Sequence, residues 1–426
     1  MMENSASASK NASKGAFDMF DVSKVRDDFP MLRSGKKMQG HPLVYLDNAS
    51  TTFKPDCVID AMNRYYQDET SNSHRGDYDL CFAADKHIEG ARRTLASFLG
   101  AEENEIVFTS GATDGMNLVA YGYGLKFLKP GDEIVLSHAE HASTMLPWFR
   151  IAELTGAKVV FIPLKDKQIT VEALSSVLSE RTKIVSFAHV GNVLGYVAPI
   201  KEIAKLVHEH HALLVVDGAQ SVPHMKIDVK DLDCDFLSFS GHKLCGPTGT
   251  GVLYGKYALL DAMDPFETGG GMNVKFFPDA TATFLPPPMK FEAGTLNIAG
   301  IYGLEAAVNY LLSIGMENIE AHERDLKKYA VERLEKTGKV TLYNADAPTG
   351  IVTFNVDGVF AQDEATLLNS KGIACRSGQH CAKMLPEDLG TVATVRASFY
   401  LYTTREDIDA LVDAIEQGGD FLDAYF

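Results

Sequence analysis

The amino-acid sequence predicts an α/β fold: a large domain built on a mostly parallel seven-stranded sheet, followed by a smaller α+β domain at the C-terminal end. Short β-rich runs alternate with helical patterns from about Val44 onward, which is typical of a sheet with helices on both faces. Several of these runs are continuously apolar, as expected for parallel strands buried on both faces. With 426 residues, the chain is long enough for more than one domain.

The candidate strands are seven short runs, at residues 105–108, 133–137, 158–162, 183–188, 212–217, 236–240 and 251–254. Helical patterns lie between them, at residues 113–126, 143–154, 171–179 and 199–209. After the loop signals ETGGGM and LPPPM, the pattern changes to long helices near 301–315 and 318–337, two strand-like runs and a last helix near 405–417. This change predicts the smaller domain.

The domain organisation follows from these patterns. Residues 1–16 are rich in Ser, Ala and Lys and lack the apolar stretch of a signal peptide. They therefore predict a disordered tail rather than a secretory signal, with an organellar transit peptide as the alternative. Residues 17–40 are interpreted as an N-terminal segment that packs on the small domain. The large domain is expected to span residues 41–305, and the small domain residues 306–426.

Composition excludes several classes of protein. Forty Lys and Arg against fifty-seven Asp and Glu give a net charge of −17, which argues against nucleic-acid binding. No run approaches the roughly 20 apolar residues of a membrane span. The six cysteines form no CxxC pair, so the sequence predicts neither a metal site nor a secreted disulfide framework. A cytoplasmic location is the simplest interpretation.

Ligands of such sheets bind beyond the carboxyl ends of the strands, where two motifs draw attention. The first strand is followed by the turn TSGAT (109–113) and a helix, an arrangement that can bind an anion through free N–H groups and the helix dipole, although it could also be an ordinary turn. Asp217 ends another buried strand, either as a helix cap or as the counter-charge of a cationic ring.

Lys243 follows a third strand, in the small-residue motif SGHKLCGP. A lone lysine is ordinarily a surface charge, but a desolvated lysine has a depressed pKa and can form a Schiff base. Pyridoxal 5′-phosphate (PLP) needs all three groups: an anion site for its phosphate, a carboxylate for its pyridinium nitrogen and a lysine for its aldehyde. The combination therefore predicts a PLP site.

The ordered motifs SGAT, EH, HVGNVLG, DGAQS, SFSGHKLCGPTGTGVLY, FEAGT, RSGQHCA and RAS resemble those of fold-type I, class-V aminotransferases. Within that group the chain is most similar to the SUF-type (group II) cysteine desulfurases, which are related to selenocysteine lyases. The resemblance runs from about Phe29 to the C-terminus. It implies conversion of L-cysteine to L-alanine with a persulfide left on the enzyme, for delivery to iron–sulfur cluster assembly.

The resemblance also implies how PLP is held. Lys243 forms the Schiff base, Asp217 pairs with the pyridine nitrogen, Gln220 bonds the phenolic oxygen and His141 stacks on the ring. His141 is a further candidate for acid/base catalysis near the substrate thiol. The phosphate is assigned to a set of small and polar residues: Ala112, Thr113, Ser240 and His242.

Three further residues have roles implied by the resemblance. Thr295 is expected to reach the phosphate of a partner protomer's cofactor, which implies a homodimer. Asn192 and Arg396 are expected to hold the substrate carboxylate, since the planar guanidinium binds a carboxylate in a bidentate manner. A surface salt bridge is the alternative for Arg396.

The sulfur-accepting residue is expected to be Cys381, on a loop rich in Gly and small polar residues where a neighbouring His and Arg favour the thiolate. A structural role is the alternative for this cysteine. Cys375 is expected to be buried, with a disulfide to Cys381 as the less favoured option, and Cys245 is assigned to packing. A protein acceptor of the SUF type is expected to remove the persulfide.

Three departures from the group pattern bear on the substrate and the acceptor. Gln379 stands where a first His is usual, Ala112 replaces a Thr, and the segment 73–78 has Asp77 and Tyr78 where a His is usual. The alternatives left open are a selenocysteine lyase acting on L-selenocysteine, another class-V enzyme, and a non-catalytic sulfur carrier that kept the fold.

Overall fold

A central seven-stranded sheet organises the chain in the computed structural model. The structure describes residues 20–73 and 76–418. The tail predicted at 1–16 lies outside the described residues, as do His74 and Arg75 of the segment 73–78. The strands of the sheet are β1 (Ile106–Thr109), β2 (Glu133–Ser137), β3 (Lys158–Ile162), β4 (Thr182–Ala188), β5 (Leu213–Asp217), β6 (Phe236–Ser240) and β7 (Gly251–Gly255).

The prediction of a mostly parallel sheet is confirmed. The strand order is β1-β7-β6-β5-β4-β2-β3, and every neighbouring pair from β6 to β3 is parallel. Strand β7 runs antiparallel to both of its neighbours. Three strands match the predicted bounds to the residue, and the other four match within one residue.

Both faces of the sheet are buried, which explains the continuous apolar runs. Along β5, Val215 belongs to one apolar core and the adjacent Val216 to another, because successive side chains of a strand point to opposite faces. Both valines are fully buried. Charged side chains at these positions would lose their water on either face, so the alternating pattern of a half-solvated strand is absent from β5.

Several of the longer helices pack around this sheet. The core that contains Val216 includes side chains of the helices around Ile88, Ile203 and Leu304, and the core that contains Val215 includes Trp148. The helix predicted at 113–126 changes to a π-helical turn at Ala120–Gly124, and the helix predicted at 171–179 ends at Ser175. The longer helices are α1 (Asp56–Asp68), α2 (Asp79–Leu99), α3 (Ala112–Val119), α4 (Ala142–Thr155), α5 (Ile200–Glu209), α6 (Ile298–Ile314), α7 (Met316–Thr337), α8 (Ala361–Ser370) and α9 (Arg405–Gln417).

A second, four-stranded sheet follows toward the C-terminus. Its antiparallel order is β8-β9-β11-β10, with its own apolar core shared with α7, α8 and α9. Its strands are β8 (Val340–Leu342), β9 (Ile351–Val356), β10 (Arg376–Gly378) and β11 (Thr394–Ser398). This is the α+β arrangement that the sequence predicts.

The remaining elements are short. Arg26 of the N-terminal segment bonds the carbonyl of Tyr402 and the carboxylate of Asp407. The division into domains at residues 40, 305 and 306 stays a prediction. The short elements include helices Val22–Asp27, Pro30–Arg33, Leu125–Phe127, Val171–Ser175, Val229–Leu232, Tyr257–Ala262 and Leu385–Asp388, and the paired strands Lys37–Met38 with His41–Pro42, Val44–Tyr45 with Ile373–Ala374, and Asn273–Phe276 with Ala282–Phe284.

The antiparallel strand β7 lies between the carboxyl ends of β1 and β6. Its first residue, Gly251, pairs with Thr109 on one side and Ser240 on the other. A Cβ atom at Gly251 would lie 2.5 Å from Gly111 Cα, so only glycine fits between the two strand ends. This close approach brings the turn after β1 next to the turn after β6.

Among the described residues, no single helix is both long and apolar enough to cross a membrane; α6 and α7 satisfy the two criteria only together, as a pair bent by 74°.

Candidate active site

A polar cavity of about 170 Å³ lies at the carboxyl ends of the parallel strands. It contains all of the predicted cofactor- and substrate-binding residues except Thr295. The turns after β1, β2, β4, β5 and β6 contribute to its wall, together with the segment after Val44–Tyr45 and residues of β10 and β11. Its lining residues are Ala49, Ser50, Ala112, Thr113, His141, Ser143, Ala188, Val190, Asn192, Asp217, Ala219, Gln220, Ser240, His242, Lys243, Arg376 and Arg396.

Asp217 is the last residue of β5, and its carboxylate is fixed in place. One oxygen accepts a hydrogen bond from Thr144 Oγ1 at 2.8 Å, and the other accepts the Ala219 N–H at 2.9 Å. The side chain is buried, with 4% of its surface exposed. A buried carboxylate is tolerated when its oxygens are bonded in this way, so Asp217 can present a fixed negative charge to the cavity.

Lys243 lies in a short 3₁₀ turn, Gly241–Lys243, directly after β6. Burial lowers the pKa of its ammonium group to about 8, a value that Asp217 raises and that Arg396 and Arg376 lower. A substantial fraction of this amine is therefore neutral near physiological pH. A neutral amine is the form that attacks an aldehyde and the form that accepts a proton.

The predicted anion-binding turn lies at the start of α3. The N–H of Ala112 donates to Ser240 Oγ at 2.8 Å, which joins the turns after β1 and β6. Thr113 Oγ1 lies 2.7 Å from Ser143 Oγ. Burial, followed by the charge of Lys243, lowers the pKa of His242 to about 4, so this ring is neutral. These hydroxyl and N–H groups at a helix N-terminus suit a phosphate.

His141 caps the N-terminus of α4. Its Nδ1 accepts the Ser143 N–H at 3.1 Å, so the proton of the neutral ring lies on Nε2. Burial lowers the pKa of His141, and the positive charge of Lys243 lowers it further. The cavity therefore has a neutral imidazole in its wall, with a defined tautomer.

The predicted substrate-binding residues, Asn192 and Arg396, are far apart in the sequence but line the same cavity. Arg396 of β11 is fully buried, and its guanidinium donates to Asn192 O at 2.8 Å and Asp47 Oδ1 at 3.0 Å. Asn192 in turn donates its side-chain amide to His380 O at 2.8 Å. Gln220 donates through Nε2 to Ala49 O at 2.7 Å.

Cys381 lies just beyond β10, in a left-handed backbone conformation with φ of 62°. Arg376 Nη2 approaches its Sγ at 3.3 Å, and its carbonyl accepts the Ala142 N–H at 2.8 Å. The expectation that His380 favours the thiolate is wrong, because its Nε2 bonds Thr394 and burial lowers its pKa to about 3, so the neutral ring brings no positive charge to the thiol. Arg376 is therefore the cation that faces the thiol.

The other cysteines near the site are in different surroundings. Burial raises the pKa of the Cys245 thiol to about 12 and raises that of Cys375 strongly. Both are free, as is Cys381, so no disulfide joins Cys375 to Cys381. The packing role expected for Cys245 agrees with its place in the apolar core of the large sheet.

Thr295 does not line the cavity of its own chain; it lies exposed in the loop before α6. Its assignment to a partner's cofactor stays a prediction. Sequence analysis gave no structural role to Asp47 and Ser50, which bond Arg396. The motif DNAS that contains them could have drawn attention, since it carries three polar side chains soon after a strand.

Comparison with known proteins gives a consistent result. The family model for class-V aminotransferases matches residues 44–411. A probable cysteine desulfurase of Halalkalibacterium halodurans is 47% identical over 405 residues, 95% of this chain and 99% of the relative. A cysteine desulfurase of Haloferax volcanii is 44% identical, over 93% of this chain and 96% of the relative.

Solved structures extend the similarity to three dimensions. The cysteine desulfurase CsdA of Escherichia coli superposes with a TM-score of 0.87 at 38% identity, covering 94% of this chain and 98% of that one. The cysteine desulfurase of Thermococcus onnurineus, in its apo form, also gives a TM-score of 0.87, at 37% identity and with coverage of 93% and 97%.

Proposed function

The chain belongs to the class-V aminotransferase family, and on that premise we propose that it is a cysteine desulfurase that uses PLP. One observation carries the proposal. Lys243, Asp217 and Arg396 line one cavity, and Arg376 of the same cavity contacts the thiol of Cys381. The cavity thereby brings together a lysine that can bind an aldehyde, a carboxylate that can act as counter-charge, an arginine that can bind a carboxylate, and a thiol.

The residues of the cavity fit PLP. Two buried polar atoms of its wall, Gln220 Oε1 and Arg396 Nε, have no hydrogen-bond partner among the described residues. Unsatisfied buried polar atoms are costly, so these two favour a polar ligand. The phenolic group of PLP and the carboxylate of an amino acid offer suitable partners. Lys243 would hold the aldehyde, Asp217 the pyridine nitrogen, and the phosphate would be held by Ala112, Thr113, Ser240 and His242.

When bound, PLP withdraws electrons from the Cα atom of the substrate amino acid and makes that carbon acidic. Lys243, the residue that would hold the aldehyde, is also the base that would take the Cα proton on Nζ, which its lowered pKa permits. Asp217, held in place by the bonds from Thr144 and Ala219, would be the partner of the pyridine nitrogen. His141, whose Nε2 carries the proton of the neutral ring, can donate it near the substrate.

Arg396 binds the substrate carboxylate through its free Nε, and Asp47 and Ser50 hold the rest of its guanidinium in place. The thiolate of Cys381 then attacks the sulfur of the substrate. A sulfur–sulfur bond forms as the carbon–sulfur bond breaks, and the electron pair of the broken bond stays with the carbon, which gains a proton. The sum is L-cysteine plus the Cys381 thiol giving L-alanine plus a Cys381 persulfide.

The partners are part of the proposal. We place the chain in the SUF-type group, with a homodimer in which Thr295 completes the partner's phosphate site and with a SUF-type acceptor that takes the persulfide for iron–sulfur cluster assembly. The exposed position of Thr295, outside its own cavity, supports this role. A reducing compartment, the cytoplasm, is proposed because Cys381 must stay a free thiol between turnovers.

The direct test is incubation of the holoenzyme with L-cysteine, measuring alanine and locating added sulfur by mass spectrometry. One extra sulfur is expected on Cys381, with alanine formed in the same amount. Cys375→Ser is the matched control and should still form the persulfide, whereas Cys381→Ser should bind cysteine without forming it. Alanine production at an unchanged rate by Cys381→Ser would contradict the proposal. L-selenocysteine as a second substrate tests the lyase alternative: cleavage that needs no Cys381 would favour it.

A further inference from the structure

The backbone carbonyl of His242 accepts hydrogen bonds from a segment that is 190 residues away in sequence. The donors are the N–H of Thr52 at 3.1 Å, the hydroxyl groups of Thr51 and Thr52, each at 3.1 Å, and the ammonium group of Lys54 at 3.0 Å. We call residues 47–54 the bridging segment. One carbonyl with this many donors around it is held in place from several directions.

This carbonyl belongs to the peptide bond that precedes Lys243. Within the 3₁₀ turn, the N–H of Leu244 bonds Gly241 O, so the helical bonding does not use the carbonyl of His242. The bridging segment supplies the missing donors. Because a peptide unit is planar, fixing its carbonyl also fixes the position of Lys243 Cα, the atom from which the side chain leaves the backbone.

Lys54 is the charged donor among the residues that bond the carbonyl of His242. Its ammonium donates to the carbonyls of both His242 and Thr52, and so ties the bridging segment to the turn. Burial lowers the pKa of Lys54 to about 8, which reflects the cost of placing a cation here. That cost is offset only where the cation makes strong hydrogen bonds, and both of its recorded acceptors are backbone carbonyls.

The other end of the bridging segment contacts the substrate-binding side of the cavity. Asp47 and Ser50 bond Arg396, and Ala49 O accepts the side-chain amide of Gln220. One stretch of chain therefore touches the turn of the Schiff-base lysine, the residue assigned to the phenolic oxygen and the arginine assigned to the carboxylate. Its geometry sets how far apart these groups lie.

We propose that Lys54 is a positioning residue for Lys243: through the carbonyl of His242 it holds the 3₁₀ turn so that Lys243 Nζ meets the aldehyde of PLP. The inference rests on the proposed function for the identity of the cofactor. Lys54 touches neither cofactor nor substrate and acts through the backbone. Its removal should therefore slow formation of the Lys243 linkage and the proton transfers that Lys243 performs, while binding of the substrate carboxylate by Arg396 is kept.

The test compares Lys54→Met and Lys54→Arg with a matched control, Lys327→Met. Lys327 is a lysine, more deeply buried than Lys54, whose ammonium also bridges two backbone carbonyls, those of Asn344 and Ile351, but it does not line the cavity. The full-length protein is freed of PLP and mixed with it. The rate of Schiff-base formation is followed by absorbance, and the linkage is confirmed by borohydride reduction and mass spectrometry. Melting temperature, kcat and KM are measured on each holoenzyme.

Lys54→Met is expected to slow Schiff-base formation and to lower kcat, each by roughly 10-fold or more, with KM for cysteine within about 3-fold. Lys54→Arg, which keeps a charged donor, should recover most of the rate. Lys327→Met should lower the melting temperature without changing the rate. A wild-type rate in Lys54→Met, or an equal loss in the Lys327 control, would overturn the inference. If the wild-type chain forms the linkage but makes no alanine, the proposed function fails and the positioning role stands.

Discussion

The two nucleophiles of the site, Lys243 and Cys381, are held in very different ways. Lys243 follows a fully buried strand, and the carbonyl before it receives hydrogen bonds from three residues of the bridging segment. Cys381 lies half-buried on a loop, and its Sγ has one recorded contact, with Arg376. Regular structure surrounds the lysine, whereas the cysteine follows the edge of a small antiparallel sheet.

This difference matches what each residue must do. The residue assigned to the cofactor must return to the same place in every turnover, so rigid surroundings lower the cost of reaching the reactive geometry. A sulfur-carrying residue must meet a substrate inside the cavity and an acceptor outside it, so a loop position with few contacts suits it. The lysine assigned to the cofactor therefore lies in a firmly held part of the structure, and the cysteine assigned to sulfur transfer lies in a lightly held part.

Removing the lysine should give the largest effect. Lys243→Ala is expected to abolish desulfuration, by at least ~10⁴-fold, because both the covalent anchor and the Cα base are lost. Cys381 remains, but it should gain no sulfur. The measurement is alanine formation together with the absorbance of the Schiff base. Persulfide formation in this variant would show that the thiol can act without the lysine and would break the proposed division of work.

The contact that holds the Cys381 thiol can be removed separately. Arg376→Gln removes the one recorded contact of Cys381 Sγ and should slow persulfide formation by roughly 10-fold, the value of a charged hydrogen bond. The Schiff-base absorbance and the affinity for PLP should not change. Rapid-quench sampling of the persulfide measures the rate. A loss of PLP binding instead would mean that Arg376 belongs to the cofactor side.

The pH dependence of Schiff-base formation tests whether Lys243 is buried as firmly as the structure indicates. Burial lowers the pKa of Lys243 to about 8 from an ordinary value of 10.5, so its neutral form accumulates as the pH rises through 8. In chain freed of PLP, the rate of Schiff-base formation should rise from pH 7 to pH 9 and then level off. An exposed lysine would give a rate that still rises above pH 10, and such a profile would contradict the buried setting.

The smallest effect is expected on the outer surface of the cysteine loop. Gln379 is exposed, and Gln379→His, which restores the residue usual in the group, should change desulfuration without an acceptor by less than about 3-fold. The measurement is alanine release with a chemical reductant in place of the acceptor. A larger change would show that this position touches the reacting groups.

Local patterns predicted much of this arrangement. The apolar runs identified the strands within a residue, and the polar residues after β1, β5 and β6 identified three sides of the cavity, because the ends of parallel strands meet at one edge. The helix at 113–126 was predicted as continuous, yet it contains a π-helical turn with two glycines, Gly122 and Gly124, whose close packing against Met263 and Trp148 is a tertiary effect.

Other features depend on contacts between distant parts of the chain, and no local pattern carries them. The bonds from Thr52 and Lys54 to the carbonyl of His242 join segments almost 200 positions apart, and they involve a backbone atom that every residue has. The direction of His380 is a similar case, since its sequence neighbour is the thiol but its bonding partner is Thr394. The role of Thr295 was implied by family resemblance alone, because it concerns a second copy of the chain and no pattern within one chain encodes it.

The place of Gly251 has a consequence for how the protein matures. The turn assigned to the phosphate and the turn assigned to the aldehyde are joined by the bond from Ala112 to Ser240, which are 128 residues apart in sequence, and β7 lies between the strands that carry these turns. During synthesis the first turn and even Lys243 emerge before β7 does. The proposed PLP site is therefore completed only after β7, the last strand of the large sheet to be synthesised, has inserted. The appearance of Schiff-base absorbance during synthesis should then report when the sheet closes.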